Sequence, residues 1–441
     1  MGFDFLDFGF PKSGTDWKSI NGKPFITVSA KGRSNGLSTK INDGADFGPD
    51  TTLNANSPYQ TGPPYTQTSG IQEAYNYVQP DNNQPTRIQL SEGYFPIAST
   101  IVPSSNTILQ GAEFNSTYLY PITNGINIIE GGISQSVFED FGIISGSKNP
   151  AEALWGIDLS QTETTPHNIV QRIILNGTFT GGGINMDGNE DSYVDKVITI
   201  GFNGPTSLSW NVPSGNINVI ESVLYAPVSA IISYQTASII NCDLNTLKLN
   251  GTCTSLSLIN NYINSTILDL NGQNPGTIIV EGGIVTNANP IFKNSGASGT
   301  ISNLEMNTWF SNPSGTVWTG TGVSINKAKI RGISLYNGNA TISGAPFSVV
   351  SGIILPLGFS ATTPTLPTGT GSANKIMNVN PFPVRIYQEI SSLTSNGTHI
   401  IDASGNDIAL PDDPVEFTLD VYASVYYATA VPTSWKWYGT M

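Results

Sequence analysis

Charge is scarce in this 441-residue chain. Asp, Glu, Lys and Arg make up 11% of it, against about 25% in an average soluble protein. Basic residues are rarest, 18 Lys plus Arg against 32 Asp plus Glu, for a net charge of −14. A nucleic-acid binder is excluded, because neutralising phosphates takes clustered Lys and Arg. Cysteine is almost missing: Cys242 and Cys253 are the only two, too few for a disulfide scaffold. Half a coil separates them in the reading below, which suits two buried thiols better than a bridge. No run approaches 18 uncharged apolar residues, so no membrane-spanning helix is expected. Met1–Pro11 lacks the basic start of a secretory signal and carries Asp4 and Asp7 in its apolar stretch. Ala, Glu, Lys and Leu do not dominate, which argues against a helical bundle or coiled coil. Disorder is also excluded, since 38% of the residues are hydrophobic and 10% aromatic. With 46 Gly and 28 Pro, what remains is a long, turn-rich β protein.

The strongest feature is an internal repeat. Nine segments read apolar-x-x-Φ-x-apolar, with Φ mostly small or apolar. They are Phe138–Phe141–Ile143, Val170–Ile173–Leu175, Val194–Val197–Thr199, Val219–Ser222–Leu224, Ile239–Cys242–Leu244, Leu258–Asn261–Ile263, Ile279–Gly282–Ile284, Ile301–Leu304–Met306 and Ile325–Ala328–Ile330. Gly, Asn, Pro and Ser fill the gaps, as turns require. Short strands at this period suit a parallel β-helix whose coils stack inward side chains into ladders. Roughly ten coils at about 4.8 Å each would give an axis of about 50 Å. The x-x step breaks strand alternation and predicts a bend in every coil. An ordinary β-sandwich is the alternative, disfavoured by nine consecutive copies of one pattern.

Ahead of the repeats, Ser69-Gly70-Ile71-Gln72 reads as a capping box with Ser69 as N-cap. Ile71, Ala74, Tyr75 and Val78 then trace one apolar helix face ending near Pro80. A short helix near 70–79 would cover the open first coil.

The order Asp43-Gly44-Ala45-Asp46, Gly70-Ile71-Gln72-Glu73-Ala74, Gly93-Tyr94 and Leu109-Gln110-Gly111 resembles the entry of pectate-lyase-like right-handed parallel β-helices. The chain departs from that pattern in the insertion Thr51–Thr68 and in Leu90-Ser91-Glu92, where the family usually turns at a proline. The resemblance implies an all-β, right-handed parallel β-helix over 41–359. It extends to viral tail fibres and tailspikes, and the composition is compatible with an archaeal virus. Residues 1–40 (Phe3, Phe5, Phe8, Phe10, Trp17) read as an attachment segment, with a disordered or strand-adding terminus as the alternative. Residues 360–379 read as a Thr/Pro/Gly/Ser linker, and 380–441 as a small β-sandwich. Its excess of aromatic residues (Tyr422, Tyr426, Tyr427, Trp435, Trp437, Tyr438) suits packing against a partner chain, and by resemblance to virus fibres it is a trimerisation module.

The catalytic residues of polysaccharide-cleaving relatives cannot be carried over. His167 and His399 are the only histidines, neither between glycines, and Lys327, Lys329 and Arg331 have no acidic cluster near them in sequence. The acidic run Asp187, Glu190, Asp191 and Asp195 admits three readings: a carboxylate pair for glycoside hydrolysis, a calcium loop, or a polar turn between coils. Glu113, Glu130, Glu139, Asp140, Glu221 and Glu281 sit near coil strands, where a carboxylate groove is one arrangement that sequence alone does not decide. Asn115, Asn176, Asn250, Asn264, Asn339 and Asn396 head Asn-x-Ser/Thr triplets. These are glycosylation acceptors in a glycosylating host, though an Asn-, Ser- and Thr-rich chain also forms such triplets by chance. No metal or cofactor is expected.

These readings point first to a structural virion protein, a tail fibre or spike on the virion surface that attaches to host-surface glycans or receptors. A homotrimer joined to other virion proteins through its N-terminal segment is the expected assembly. A polysaccharide-degrading lyase or glycoside hydrolase on the same fold is the alternative, and an extracellular adhesin or surface-layer protein a third, because fold does not decide function.

Overall fold

The computed structural model describes residues 25–30, 45–78 except 59, 86–160, 167–311 except 287 and 289, 317–330, 334–336, 363–380, 383–389, 397–410 and 416–439. Residues 1–24, Asn339, Asn396, Arg331 and the opening Asp43-Gly44 lie outside them.

The fold is a parallel β-helix. Every strand pair of the solenoid is parallel, and one inward column runs its length. It comprises Ile26, Ile88, Leu109, Phe138, Val170, Val194, Val219, Ile239, Leu258, Val280 and Met306. Ile26–Val28, inside the 1–40 segment, thus supplies the first rung. A second face stacks Phe95, Leu119, Ile143 and Leu175, and then Leu224, Leu244, Ile263, Val285 and Phe310. A third stacks Ile129, Ile157, Ile184, Leu208, Ala230, Leu247, Leu268 and Phe292. The three columns form one continuous core.

The bend predicted by the x-x step is a left-handed backbone corner repeated coil after coil. Asp140, Arg172, Lys196, Glu221, Asn241, Asn260 and Gly282 have φ of 62°, 53°, 52°, 48°, 54°, 54° and 65°. Such a conformation disfavours any residue with a Cβ, so each coil spends a little stability to turn from its first face to its second. The Φ position just after the corner is apolar in the early coils and polar later. Ser222 Oγ accepts from Val197 N at 3.1 Å, Cys242 Sγ from Ser222 N at 3.4 Å, and Asn261 Oδ1 from Cys242 N at 2.8 Å. Each side chain satisfies a backbone donor of the preceding coil that the bend leaves without a strand partner. Cys242 and Cys253 are buried free thiols, and burial pushes both up to about 12.

Two registers differ from the sequence reading. In the coil at 277–286, Val280 and Val285 point inward, one residue after Ile279 and Ile284. In the next coil Met306 joins the column, and Ile301 pairs with Ile325 five residues earlier. Ile278, Ile279 and Val280 are consecutive and apolar, so periodicity cannot choose between faces one residue apart.

The helix spans Ile71–Tyr77, with Ile71, Ala74, Tyr75 and Val78 buried in the core as expected. Its start is not the expected capping box. Gly70 is the N-cap in the left-handed region, Gln72 N donates to Thr68 Oγ1, and Ser69 Oγ donates to Pro96 O. Gly70 is needed there, because a Cβ would lie 2.6 Å from Gly48 N. Gln72 instead clamps the helix to the next coil, exchanging hydrogen bonds with Val102 N and O. The insertion 51–68 folds onto the helix through buried Glu73, which accepts from Thr66 Oγ1, Thr68 Oγ1 and Asn54 N.

Toward the C terminus, two antiparallel sheets face each other around Val384, Ile386, Phe417, Leu419, Val425, Tyr427 and Trp437. One sheet orders Ile376–Met377, Ser424–Tyr427, Thr398–Ile401 and Asp407–Ala409. The other orders Glu416–Leu419, Val384–Glu389 and Ser434–Gly439. Ile376–Met377 falls inside the segment read as a linker. It joins by backbone pairing with Val425 and Ser424, which composition does not reveal.

Candidate functional site

The acidic run of the sequence is tied to the solenoid by its asparagine. Asn189 is wholly buried. Its side-chain amide donates to Leu159 O, its Oδ1 accepts from Asn168 Nδ2, and its carbonyl accepts from Trp210 Nε1. Asp187 Oδ1 accepts from Ser209 Oγ, Asn211 N and Asn211 Nδ2, at 2.8–3.0 Å. Asp191 is exposed and accepts from Asn216 Nδ2. Glu190 is half-buried, its stem packed against Gly215. Asp187 and Asp191 thus serve different neighbouring groups. No cluster of three or more metal-ligating side chains occurs among the described residues.

Asp195 lies elsewhere, on the outward face of the first sheet. Its outward column runs Gln89, Gln110, Glu139, Gln171, Asp195. The corner residues beside it add charge. Arg172 grips Asp140 through Nε at 2.5 Å and Nη2 at 2.9 Å, and reaches Glu139 at 2.6 Å. Lys196 Nζ lies 3.7 Å from Asp195 and 3.4 Å from Glu221. The carboxylate groove that the sequence left open is therefore partly a ladder of ion pairs. Burial raises the Asp195 carboxyl above its usual range, Glu221 adding to the effect and Lys196 opposing it. Burial would raise Asp140 too, but the Arg172 and Gln110 hydrogen bonds outweigh it and hold that carboxyl low.

The second sheet presents an outward column that sequence spacing did not single out. Residue by residue it runs Tyr94, Tyr118, Gly142, Ile174, Ile198, Val223, Asp243, Tyr262, Ile284, Trp309. Tyr225, Tyr262 and Trp309 are 45%, 42% and 51% exposed. Tyr225 lies one residue beyond the inward Leu224, and its hydroxyl donates to Asp243 Oδ2 at 2.5 Å. That bond, with burial and the nearby Tyr262, pushes Tyr225 up to about 12. Burial raises the Asp243 carboxyl, with the Tyr225 bond opposing. Asp243 Oδ1 is enclosed and takes no hydrogen bond. Asp243 therefore orients the Tyr225 ring, and the rings of Tyr225, Tyr262 and Trp309 offer flat apolar surface at coil spacings. The signal available in the sequence was a large aromatic one place out of phase with an inward residue, as in Leu224-Tyr225 and Trp309-Phe310.

Both histidines lie apart from this strip in the fold's register. His167 Nδ1 is enclosed with no hydrogen-bond partner. His399 stacks on Tyr426, and its Nδ1 is 2.9 Å from Asp407 Oδ1. Of the glycosylation triplets, Asn115, Asn250 and Asn264 are exposed and Asn176 is half-buried.

The carboxyl shifts predict where the solenoid is most stable. Asp195 and Asp243 are raised, so the folded state holds their protons longer, and their contribution falls as pH climbs past the usual 3.8. Asp140 is lowered, so its contribution disappears as pH falls below 3.8. Melting temperature should peak on the mildly acidic side, where the −14 charge is also partly neutralised. Scanning calorimetry across about pH 3 to about pH 8 checks this; a steady rise to the alkaline end would contradict it.

No family model matches the chain, and no curated protein matches it. Solved structures similar to it include ORF18 of Geobacillus virus E2, at 13% identity over 83% of this chain and 75% of that one, TM-score 0.40. The A-module of the mannuronan C-5 epimerase AlgE4 of Azotobacter vinelandii is 12% identical over 62% and 95%, TM-score 0.36. The tailspike gp49 of Acinetobacter baumannii bacteriophage Fri1, a capsular polysaccharide depolymerase, is 12% identical over 84% of each chain, TM-score 0.35. The strand register identifies the fold. The chain is a parallel β-helix. No residue role is carried over from these structures.

Proposed function

We propose that this β-helix is a virion-surface attachment protein, a tail fibre or spike, whose second face binds host-surface glycans. The observation that supports the reading is the outward strip of Tyr225, Tyr262 and Trp309, with Asp243 bracing the first ring. Sugars stack their apolar faces on such rings while their hydroxyls remain in water or meet polar neighbours. The rings lie on alternate coils, about 10 Å apart along the axis, which suits an extended polymer. In this reading the part of the 1–40 segment that precedes the first rung docks on other virion proteins and the 380–441 sandwich holds a homotrimer.

Binding of purified capsular and lipopolysaccharide glycans, measured by biolayer interferometry, tests it. Tyr262→Ala and Trp309→Ala should each weaken binding about ten-fold, or 1.4 kcal/mol. Binding unchanged in the double variant would overturn the reading.

A second reading, cleavage of the bound polymer, is favoured by one observation. Asp195, whose carboxyl burial raises above the usual range, and Glu221 share Lys196. That is a general-acid candidate beside a second carboxylate. Release of reducing ends that vanishes in Asp195→Asn, with binding retained, would establish it.

A further inference from the structure

The N-terminal end of the second face carries a separate group of rings. Tyr94 and Tyr118 occupy the same outward column on successive coils and stack at 5.4 Å with 19° between planes. Tyr120, opposite Pro96, meets Tyr94 edge-on at 6.5 Å and 75°. The two orientations make an open angle of aromatic faces, with Tyr94 44% exposed. The next coil makes room for it. Gly142 stands opposite Tyr118, and a Cβ there would lie 2.5 Å from that ring. The Tyr118 hydroxyl donates to Asn115 O at 2.9 Å, holding its ring in place.

One group already lies on the Tyr94 face. The ammonium of Lys148 sits 4.1 Å from the Tyr94 ring centroid. Lys148 is exposed, on the turn after Gly146, whose φ is 74°. In a chain with 32 acidic and 18 basic residues, it forms no ion pair among the described residues, and an aromatic face holds it instead. An ammonium placed on a tyrosine face by a surface turn marks a surface that attracts cations through the ring quadrupole. The turn can release it without disturbing the core.

We propose that the Tyr94, Tyr118 and Tyr120 platform is a binding site for alkylammonium groups, its Tyr94 face occupied in this structure by Lys148. Its ligand is a glycan or envelope polymer bearing choline-like quaternary ammonium or protonated amino sugar. The site is distinct from the Tyr225–Trp309 strip and does not depend on the attachment reading. A quaternary ammonium is the better ligand, because it gives up less hydration than the lysine it displaces.

The test titrates full-length protein with tetramethylammonium chloride, choline and glucosamine, with lithium chloride as the ionic control. Proton NMR of the ligand is the readout, since a methyl group seated over a ring moves upfield. Lys148→Ala should bind tetramethylammonium about three- to ten-fold more tightly than the unaltered chain, the factor that releasing one cation–π contact is worth. Tyr94→Leu, which keeps apolar bulk but removes the ring, should abolish both binding and the upfield shift. If choline binds more tightly than glucosamine the ligand is quaternary, and the reverse order makes it an amino sugar. Lys148→Ala failing to bind any of the three, or Lys148→Ala/Tyr94→Leu binding as well as Lys148→Ala, would overturn the proposal.

Discussion

Asn168→Leu should cost the solenoid about 4 kcal/mol. Asn168 is wholly buried. Its Nδ2 donates to Ile133 O at 2.7 Å and to Asn189 Oδ1 at 2.8 Å, and its Oδ1 accepts from Ser136 N at 3.0 Å. Leucine fills similar space, so packing is largely kept and the loss is of polar partners. Each buried group left unpaired costs about 1–3 kcal/mol, and three lose a partner at once. Guanidinium unfolding followed by circular dichroism gives the number, with Asn250→Leu as control. Asn250 is exposed, so that change should stay within about 0.5 kcal/mol. An Asn168→Leu midpoint equal to the control's would show that this polar column does not stabilise the coils.

Trp210→Ala should cost about 3–5 kcal/mol through the cavity left by a large core side chain. Trp210 is among the largest fully buried residues, and its Nε1 donates to Asn189 O at 2.7 Å. Asn168 and Trp210 both hold Asn189, one from the first face of the core and one from the third. Their effects should therefore not add, and a double-mutant cycle should return a coupling of about 0.5–3 kcal/mol. Strict additivity would mean that Asn189 does not link them. The consequence reaches the acidic run, because Asp187, Glu190 and Asp191 flank this anchored residue. Amide exchange at 187–195 should rise in either variant more than exchange in the Tyr262 coil.

Much of the fold was legible because a β-helix writes its geometry into the chain at short range. From Phe138 to Ile263 one spaced motif recurs without a change of phase, so the register of six coils could be read directly. Legibility failed at Ile279, where apolar residues occupy both faces, and at Ile301. There a strand running from Gly299 to Ser311 offers more inward places than the motif has. The helix was visible in its apolar face, but its cap was not. Thr66, Thr68 and Ser69 all have suitable hydroxyls, and the choice follows from the approach of Gly70 to Gly48. The acidic run was visible as composition only. Two of its carboxylates, Asp187 and Asp191, proved to be oriented by Ser209, Asn211 and Asn216, residues of the next coil.

Sequence alone determined the architecture: parallel coils, a bend at each x-x step, a capping helix and an antiparallel C-terminal module. All of these arise from local periodicity and backbone preference, which neighbouring residues encode. Tertiary structure alone decided which side chains meet. Tyr225, Asp243, Tyr262 and Trp309 are far apart in the chain, as are Tyr94, Tyr118 and Lys148. They share one face only because stacking places successive coils about 4.8 Å apart. The intervals between coils vary with turn length, so which outward residues fall in one column depends on every turn between them.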